Sequence, residues 1–268
     1  MIKIFLTLLG FLAVCYIALI VFAFFFAEKM IFPMPYPSYT AKENGMFFIP
    51  TSNNGKIAAL WLPAKDCDFC LIYCHGNGED IGRIRSRLGM INSAGISVLA
   101  YDYNGYGLSS GKASVKNFEE AAVEVFDYAN KVLKYPVEKI SVMGYSLGGA
   151  AACTMANAHP ELRSVVLLSA FSKAINALLP FDPIPWDILA NCKKIANFKA
   201  PMLMIHGTRD FVVPIRNAYQ NYKVANSPTR LLVYEGDNHH IDRQDAWAEI
   251  LKFIKKPQNE KSSCDIIR

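Results

Sequence analysis

Short apolar runs alternate with amphipathic helical stretches along most of the chain, and this alternation restricts the possible folds more than any other feature. The runs are rich in Val, Ile, Leu and Met, and most of them end at or near a glycine. They read FCLIYCHG, ISVLAYDYNG, ISVMGYS, VVLLSAF, PMLMIHG and LLVYEG. Strands that are apolar on both faces and are joined by helices predict a parallel sheet covered by helices on both sides.

The segments between these runs have the apolar period of helices. The predicted helices cover 81–94, 118–132, 147–159, 214–223 and 242–254. A hairpin is predicted ahead of the parallel strands, because MFFIPT and KIAALWLP flank the turn signal Ser52-Asn53-Asn54-Gly55. With 268 residues, 52% of them hydrophobic, the chain has enough material for one sizeable core. We therefore expect a single α/β domain.

The first part of the chain is a long apolar stretch. No charged residue occurs from Phe5 to Ala27, and a helix of that length spans roughly 35 Å, enough for a bilayer core of about 30 Å. A removable signal peptide has a shorter apolar region followed by a small-x-small site, whereas this stretch ends in three phenylalanines and an alanine. An uncleaved membrane anchor is favoured over a cleaved signal or a buried helix.

The charge pattern excludes one class of partner and gives a weak orientation. The net charge is +5, but Lys and Arg are scattered among acidic residues, so a nucleic-acid surface is not expected. Lys3 precedes the apolar stretch, and Glu28 and Lys29 nearly cancel after it. The positive-inside rule then favours a cytoplasmic N-terminus with the main domain on the extracytoplasmic side. The sequence carries no signal for an oligomeric state.

These patterns predict an order of segments along the chain. Alternate prolines at Pro33, Pro35 and Pro37 favour an extended spacer that leads away from the bilayer. The predicted segments are an anchor over 1–28, a proline-rich juxtamembrane stalk over 29–45, an α/β domain over 46–256 with a short cap at about 172–199, and a frayed polar tail over 257–268.

Seven cysteines are present, and three of them lie close together. Cys67 and Cys70 have CxxC spacing, with Cys74 close behind, but no second ligand pair follows. Because Cys70 and Cys74 fall within an apolar strand pattern, buried structural thiols are predicted rather than a metal or redox site. Unpaired thiols favour a reducing compartment, which opposes the charge rule. No metal or cofactor is expected.

The stretch ISVMGYSLGGAAACTMANA joins a buried strand to a helix of small residues through Gly-Tyr-Ser-Leu-Gly-Gly. A strand that ends in Gly-x-Ser-x-Gly and leads into a helix is the pattern of a nucleophile elbow, in which a strained turn exposes the serine hydroxyl. Gly144 and Gly148 stand where side chains would collide. An ordinary tight turn is the alternative. The strand before the turn and the helix after it favour Ser146 as a nucleophile.

A serine nucleophile needs a base and an acid, and in this type of fold they follow it in the order acid, then His. Asp210 comes directly after the strand MLMIHG, and His239 and His240 follow the last strand, LLVYEG. The spacing after the preceding Gly favours His239 as the base, and His240 remains the alternative. His206 is interpreted as structural. Weaker candidates for the acid are Asp182, Asp187 and Asp237.

An acyl-transfer site also needs donors for the developing oxyanion. One backbone N–H is expected from Leu147, the residue after the nucleophile. The other is expected from the glycine-rich loop His75-Gly76-Asn77-Gly78 after the third strand, with Asn77 as the predicted donor.

The chain resembles the α/β-hydrolases, and in particular the membrane-anchored Bem46-like group with its abhydrolase-13 and abhydrolase-17 type proteins. The resemblance rests on HGNGEDIG, DYNGYGLSSG, GYSLGGA, HGTRDFVVP, GDNHHID, the apolar N-terminus and IFPMPYP. It implies an eight-stranded, mostly parallel sheet and a Ser-His-Asp hydrolase. Asn104 stands where that group commonly has Arg, and His240 where it often has Asn. Related depalmitoylases carry an N-terminal cysteine cluster, whereas this chain has only Cys15 there.

The predicted function is a membrane-anchored serine hydrolase for an acyl ester or thioester, in a lipid or an acylated protein. The short apolar cap contains Leu179 and Trp186, which we expect to contact the acyl group, although simple packing of a cap helix explains them equally well. Two alternatives remain open: a peptidase or amidase that uses the same triad, and a non-catalytic scaffold on a hydrolase fold.

Overall fold

The computed structural model describes residues 1–52, 54–258 and 262–268. Asn53, in the predicted hairpin turn, and residues 259–261, in the predicted tail, lie outside the described residues.

A single twisted sheet forms the centre of the domain, and within the described residues it has nine strands in the order β1-β2-β4-β3-β5-β6-β7-β8-β9. The strands are β1 Met46–Pro50, β2 Lys56–Leu62, β3 Cys70–Cys74, β4 Ser97–Tyr101, β5 Ile140–Tyr145, β6 Ser164–Leu168, β7 Met202–Gly207, β8 Thr229–Tyr234 and β9 Ser263–Ile267. β1 and β2 form an antiparallel pair, and β2 also runs antiparallel to β4. All other neighbours are parallel, which confirms the predicted mostly parallel sheet.

Helices cover both faces of this sheet. The helices of the described chain are α1 Ile2–Ile31, which has no buried residue, and α2 Ile81–Ser93, α3 Val115–Lys131, α4 Gly148–Ala158, α5 Ala174–Leu178, α6 Asn191–Ile195, α7 Arg216–Val224 and α8 Gln244–Lys255, with a 3-10 turn at Val137–Lys139. Buried side chains of α3, α4, α6 and α7 share one core cluster, and those of α2 and α8 share the other. Two apolar layers enclose the strands, as continuous apolar runs require.

The described sheet has one strand more than the eight that we expected, and the additional strand, β9, lies in the segment that we expected to be a frayed tail. β9 pairs in parallel with β8, in register from Arg230 opposite Ser263 to Tyr234 opposite Ile267. Ion-pairing of Arg230 with Asp265 reinforces the pairing. Backbone hydrogen bonds to an available sheet edge can order a polar segment that has little apolar surface of its own.

The helix α1 is long and apolar enough to cross a membrane, with a mean hydropathy of 2.8 in its most apolar window and none of that window buried. Its last turns nevertheless contact the domain. Glu28 accepts a hydrogen bond from the Val115 N–H at 2.8 Å, at the first residue of α3. A carboxylate stabilises a helix N-terminus because the backbone N–H groups there lack intrahelical partners.

The segment 32–39, which we call the strap, lies against the domain. Phe32 is 2% exposed, and its ring centre lies 5.5 Å from that of Phe118. Ser38 N–H donates to Asp80 at 2.6 Å, and the buried Tyr39 hydroxyl donates to Asp102. Burial of aromatic side chains holds the strap against the core, a contact that the proline pattern did not predict.

Candidate active site

The turn between β5 and α4 holds Ser146 in a left-handed backbone conformation, with φ of +52°. Non-glycine residues seldom adopt this conformation, and it persists only where the surroundings enforce it. Here the Ser146 N–H donates to Leu168 O at 2.9 Å, and Gly149 N–H donates to Ser146 O at 3.0 Å. A β carbon on Gly144 would lie 2.2 Å from Gly148 O, so this close approach requires glycine. The arrangement is that of the predicted elbow.

Three predicted side chains meet at the carboxyl ends of the strands. His239 Nε2 lies 2.9 Å from Ser146 Oγ, and His239 Nδ1 lies 2.7 Å from Asp210 Oδ2. Because an ionised carboxylate only accepts hydrogen bonds, Nδ1 carries the proton and Nε2 accepts the serine O–H. All three residues are less than 10% exposed. The arrangement has the order and distances that a serine nucleophile, a base and an orienting acid require.

The acid is held in its ionised form by its own loop. Asp210 Oδ1 accepts the N–H groups of Val212 at 2.9 Å and Val213 at 2.7 Å. Burial alone would raise the pKa of the Asp210 carboxyl, but hydrogen bonds from His206, His239 and the Val213 amide hold this pKa well below its usual range. An anionic carboxylate in contact with an imidazole favours the positively charged form of the ring.

His206, which we predicted to be structural, is a direct neighbour of this carboxylate. Its Nε2 lies 2.7 Å from Val213 O and 3.2 Å from Asp210 Oδ2. Since a carbonyl oxygen only accepts, Nε2–H points towards both oxygens. His206 lies four residues before Asp210, and this short separation is a signal that the sequence provides.

The loop that carries His239 is fixed by residues that the sequence did not single out. Ser169, directly after β6, donates from Oγ to His239 O at 2.9 Å. Gly207 ends β7, and a β carbon there would lie 2.3 Å from Asp237 O, so glycine permits the close approach of the two loops. His240, the alternative base, has its Nδ1 2.6 Å from the Tyr145 hydroxyl instead. Only His239 bridges Ser146 and Asp210 within the described chain.

The predicted oxyanion donors belong to two segments in contact. A β carbon on Gly148 would lie 2.0 Å from Cys74 O and 2.7 Å from His75 O, so the loop after β3 lies against the start of α4. Among the hydrogen bonds of the described residues, the N–H groups of Leu147 and Asn77 have no acceptor. Free amides on adjoining turns are what an oxyanion site needs.

The weaker acid candidates lie in other ion pairs. Lys173 contacts Asp187 at 2.9 Å and also pairs with Asp182, and Asp237 lies 3.9 Å from Arg243.

The two predicted acyl contacts point towards α1. Leu179 lines an apolar groove of about 290 Å³ between the cap and α1, and the Trp186 ring lies 6.4 Å from that of Phe24. Neither groove nor ring contact includes the Ser146 side chain, so their role at the acyl group stays a prediction. Across residues 1–52, 54–258 and 262–268, no cluster of three or more His, Cys, Asp or Glu side chains could hold a metal ion.

Comparisons with known proteins agree with this architecture. The family model described as serine aminopeptidase, S33, matches residues 66–191. The protein aho-3 of Caenorhabditis elegans, an alpha/beta hydrolase domain-containing protein, is 27% identical over 253 residues, covering 84% of this chain and 76% of its own length. Human alpha/beta hydrolase domain-containing protein 17B is 29% identical over 211 residues, covering 75% of this chain and 72% of its own.

Solved structures share the fold at lower sequence identity. An esterase from Pyrococcus furiosus superposes with a TM-score of 0.69 at 20% identity, over 84% of this chain and 98% of its own. The esterase Est1E from Butyrivibrio proteoclasticus, solved with ferulic acid bound, gives a TM-score of 0.65 at 20% identity, over 78% and 97% of the two chains. The chain therefore has the α/β-hydrolase fold, and its sequence is similar to those of the alpha/beta hydrolase domain-containing 17 proteins.

Proposed function

We propose that this protein hydrolyses an acyl ester or thioester through a Ser146-His239-Asp210 triad and an acyl-enzyme intermediate. The observation that carries the proposal is the unbroken pair of hydrogen bonds, 2.9 Å from Ser146 to His239 and 2.7 Å from His239 to Asp210. The esterase activity named for solved proteins of the same fold supports the ester class.

In the first half of the reaction, Ser146 Oγ attacks the acyl carbonyl carbon while His239 Nε2 takes the hydroxyl proton. Asp210 holds the ring and stabilises its positive charge. The carbonyl oxygen becomes an oxyanion, for which we propose the N–H groups of Leu147 and Asn77 as donors. Collapse of the tetrahedral intermediate breaks the bond to the leaving alcohol or thiol, and His239 returns the proton to that group.

In the second half, water attacks the acyl-enzyme and the same base takes its proton. The new tetrahedral intermediate expels Ser146 Oγ, which regains a proton from His239, and the carboxylic acid leaves. Loss of a single oxyanion donor in such sites lowers kcat on the order of 100-fold or more.

The second candidate is cleavage of an amide by the same residues, which the serine aminopeptidase description of the matching family model favours. The two reactions differ in the leaving group, and p-nitrophenyl esters, matched acyl thioesters and p-nitroanilides of the same acyl group separate them. We expect turnover of the ester and thioester, and anilide turnover slower by at least about 100-fold. Anilide turnover equal to that of the ester would support the amidase instead.

A matched Ser146→Ala variant is the control for every substrate. Turnover that persists in this variant would be chemistry outside the proposed site. A wild-type protein with neither turnover nor covalent labelling by a fluorophosphonate would favour the non-catalytic scaffold.

We also propose that α1 is an uncleaved membrane anchor with the hydrolase domain on the extracytoplasmic side. The hydrogen bond from the Val115 N–H to Glu28 supports retention of the helix, because removal of α1 would break this contact. Intact-mass analysis of the membrane-extracted protein should find residues 1–31 present. Protease added to sealed, right-side-out vesicles tests the side of the membrane. We expect the domain to be cleaved, and a protected domain would overturn the extracytoplasmic orientation.

A further inference from the structure

An ion pair lies directly behind the loop that carries Asn77. Arg87 NH1 and Glu79 Oε1 are 3.1 Å apart, and the side chains are only 29% and 16% exposed. The other carboxylate oxygen of Glu79, Oε2, accepts the Gly76 N–H at 2.8 Å. One carboxylate therefore holds the loop backbone and the guanidinium at the same time.

The arginine is held in place by two tyrosines. Arg87 NH1 donates to the Tyr73 hydroxyl at 3.0 Å, and its guanidinium carbon lies 5.5 Å from the ring centre of Tyr145. A β carbon on Gly76 would lie 3.0 Å from that same Tyr145 ring. Tyr145 directly precedes the nucleophile, so the pair is packed between the oxyanion loop and the elbow.

The position of the carboxylate poses an electrostatic problem. The Gly76 amide that binds Glu79 is the immediate neighbour of the Asn77 amide, our proposed oxyanion donor. An uncompensated negative charge so close to a developing oxyanion would oppose the reaction, and the partly buried setting weakens screening by water. Arg87 contributes an equal and opposite charge at hydrogen-bonding distance from the carboxylate.

We propose that Arg87 is a positioning residue that neutralises Glu79, so that the carboxylate can orient the Gly76-Asn77 backbone without repelling the transition-state oxyanion. This inference rests on the proposed hydrolase function. We expect the Arg87–Glu79 pair to affect kcat more than substrate binding. Repulsion between an unpaired Glu79 and the oxyanion acts on a charge that develops only in the transition state.

Charge substitutions in one ester assay test this assignment. We expect Arg87→Gln to lower kcat by about tenfold, the scale of one partly screened unit charge near an oxyanion, with KM changed less than about twofold. Glu79→Gln should cost only a few-fold. The double variant should regain most of the Arg87→Gln loss, because no bare carboxylate remains.

A merely structural clamp predicts the opposite order. If the pair only holds the loop, the double variant is at least as slow as Arg87→Gln, and that result overturns the proposal. Arg87→Lys keeps the charge and should retain activity near that of the wild type. Arg85→Gln is the matched control, because Arg85 lies on the same helix and pairs with Glu43 at 3.2 Å, away from the loop.

A transition-state mimic provides the second readout. An alkyl boronic acid forms a tetrahedral anion on the serine oxygen, so its inhibition constant should rise about tenfold in Arg87→Gln and recover in the double variant. An unchanged inhibition constant contradicts the charge role. Fluorophosphonate labelling of the wild type and of each folded variant distinguishes failure of the hydrolase proposal from failure of the Arg87 proposal. Absence of labelling in the wild type would contradict the hydrolase proposal. If the variants are labelled but the double variant is at least as slow as Arg87→Gln, only the Arg87 proposal fails.

Discussion

At the scale of single residues, the site depends on a strained serine that its neighbours hold in place. A non-glycine residue at φ near +52° costs on the order of 1–3 kcal/mol. Two backbone hydrogen bonds and the close contact of Gly144 with Gly148 keep Ser146 there. In this strained conformation the Ser146 hydroxyl lies within hydrogen-bonding distance of His239. The tight turn requires glycine at positions 144 and 148, because a side chain there would collide with the backbone.

Gly148→Ala tests this close packing. The added β carbon would lie 2.0 Å from Cys74 O, a backbone atom that cannot swing away. We expect a loss of roughly 3 kcal/mol or more in the free energy of unfolding, measured by urea titration in detergent. Gly89→Ala in α2 is the control, because no atom lies within 4 Å of the new carbon, and it should stabilise by about 0.5–1 kcal/mol. Equal stability of the two variants would contradict the described packing.

Asp210→Asn tests the ionised acid. The pKa of this carboxyl is lower in the folded chain than in the unfolded one, so it stabilises the fold above its ordinary range and loses that contribution as the pH falls towards the folded pKa. The difference in unfolding free energy between wild type and variant should be constant above about pH 5 and shrink in more acidic solution. A difference that grows on acidification would contradict the assignment. In a triad, kcat should fall by about 10⁴-fold.

At the scale of elements, parallel strands bring residues that are far apart in sequence to one edge of the sheet. Ser146, Asp210 and His239, the proposed nucleophile, acid and base, follow β5, β7 and β8 in turn, and the proposed oxyanion loop follows β3. β3 is buried along its whole length, which makes its two thiols part of the core. Cys67, the first cysteine of the CxxC spacing, lies ahead of β3 and is only partly buried.

Native-state alkylation tests this interpretation of the cysteines. Burial raises the pKa of the Cys74 and Cys153 thiols to about 12 and raises that of Cys70 further. Because the thiolate is the reactive form, these three should resist iodoacetamide at pH 8 until the protein unfolds. Partial burial and the nearby Asp265 raise the pKa of the Cys264 thiol too, but this side chain is exposed and should react well before the buried thiols. Peptide mass spectrometry identifies the alkylated cysteines. Rapid labelling of Cys70 in the native protein would contradict its burial in β3.

Much of this arrangement could be predicted from the sequence, because local periodicity encodes it. The alternation of apolar strands and helices, and the order Ser146, Asp210, His239, both follow from patterns read along the chain. The contacts that hold the site could not be predicted in this way. Ser169 and Tyr145 reach the histidine loop through the register of different strands, which no single segment specifies.

The elements that sequence patterns missed share one physical cause. β9 gains its order from the exposed edge of β8, and the strap gains its order from Phe118 and Asp102. Neither segment has a strong periodicity, since tertiary partners far along the chain decide their conformation. The alternate prolines did not indicate what the strap packs against.

At the scale of the whole molecule, the helix α1 continues directly into the hydrolase core. The strap joins the two without a loose linker: Phe32 packs within the core, and Tyr39 reaches the carboxylate of Asp102. In a membrane, this connection would hold the catalytic edge at a defined height and tilt. We infer that α1, in the proposed role of an anchor, would orient the domain as well as retain it.

Phe32→Ala tests the attachment. Removal of a buried phenyl group should cost about 3–5 kcal/mol of unfolding free energy, because a cavity remains against Phe118. Tyr36→Ala is the matched control in the same strap, since Tyr36 is 90% exposed, and it should change stability by less than about 0.5 kcal/mol. Urea unfolding followed by near-UV circular dichroism measures both. If Phe32→Ala lowers the free energy of unfolding by no more than Tyr36→Ala does, the strap does not attach α1 to the core.

The most direct test of the central claim is covalent labelling with an alkyl fluorophosphonate, followed by intact-mass and peptide analysis. The account predicts one adduct per chain, located on Ser146 and absent from Ser146→Ala. Labelling should be slowed by at least about 10³-fold in His239→Ala, which removes the base, and by less than about tenfold in His240→Ala. An adduct on another residue, or full-rate labelling without His239, would contradict it.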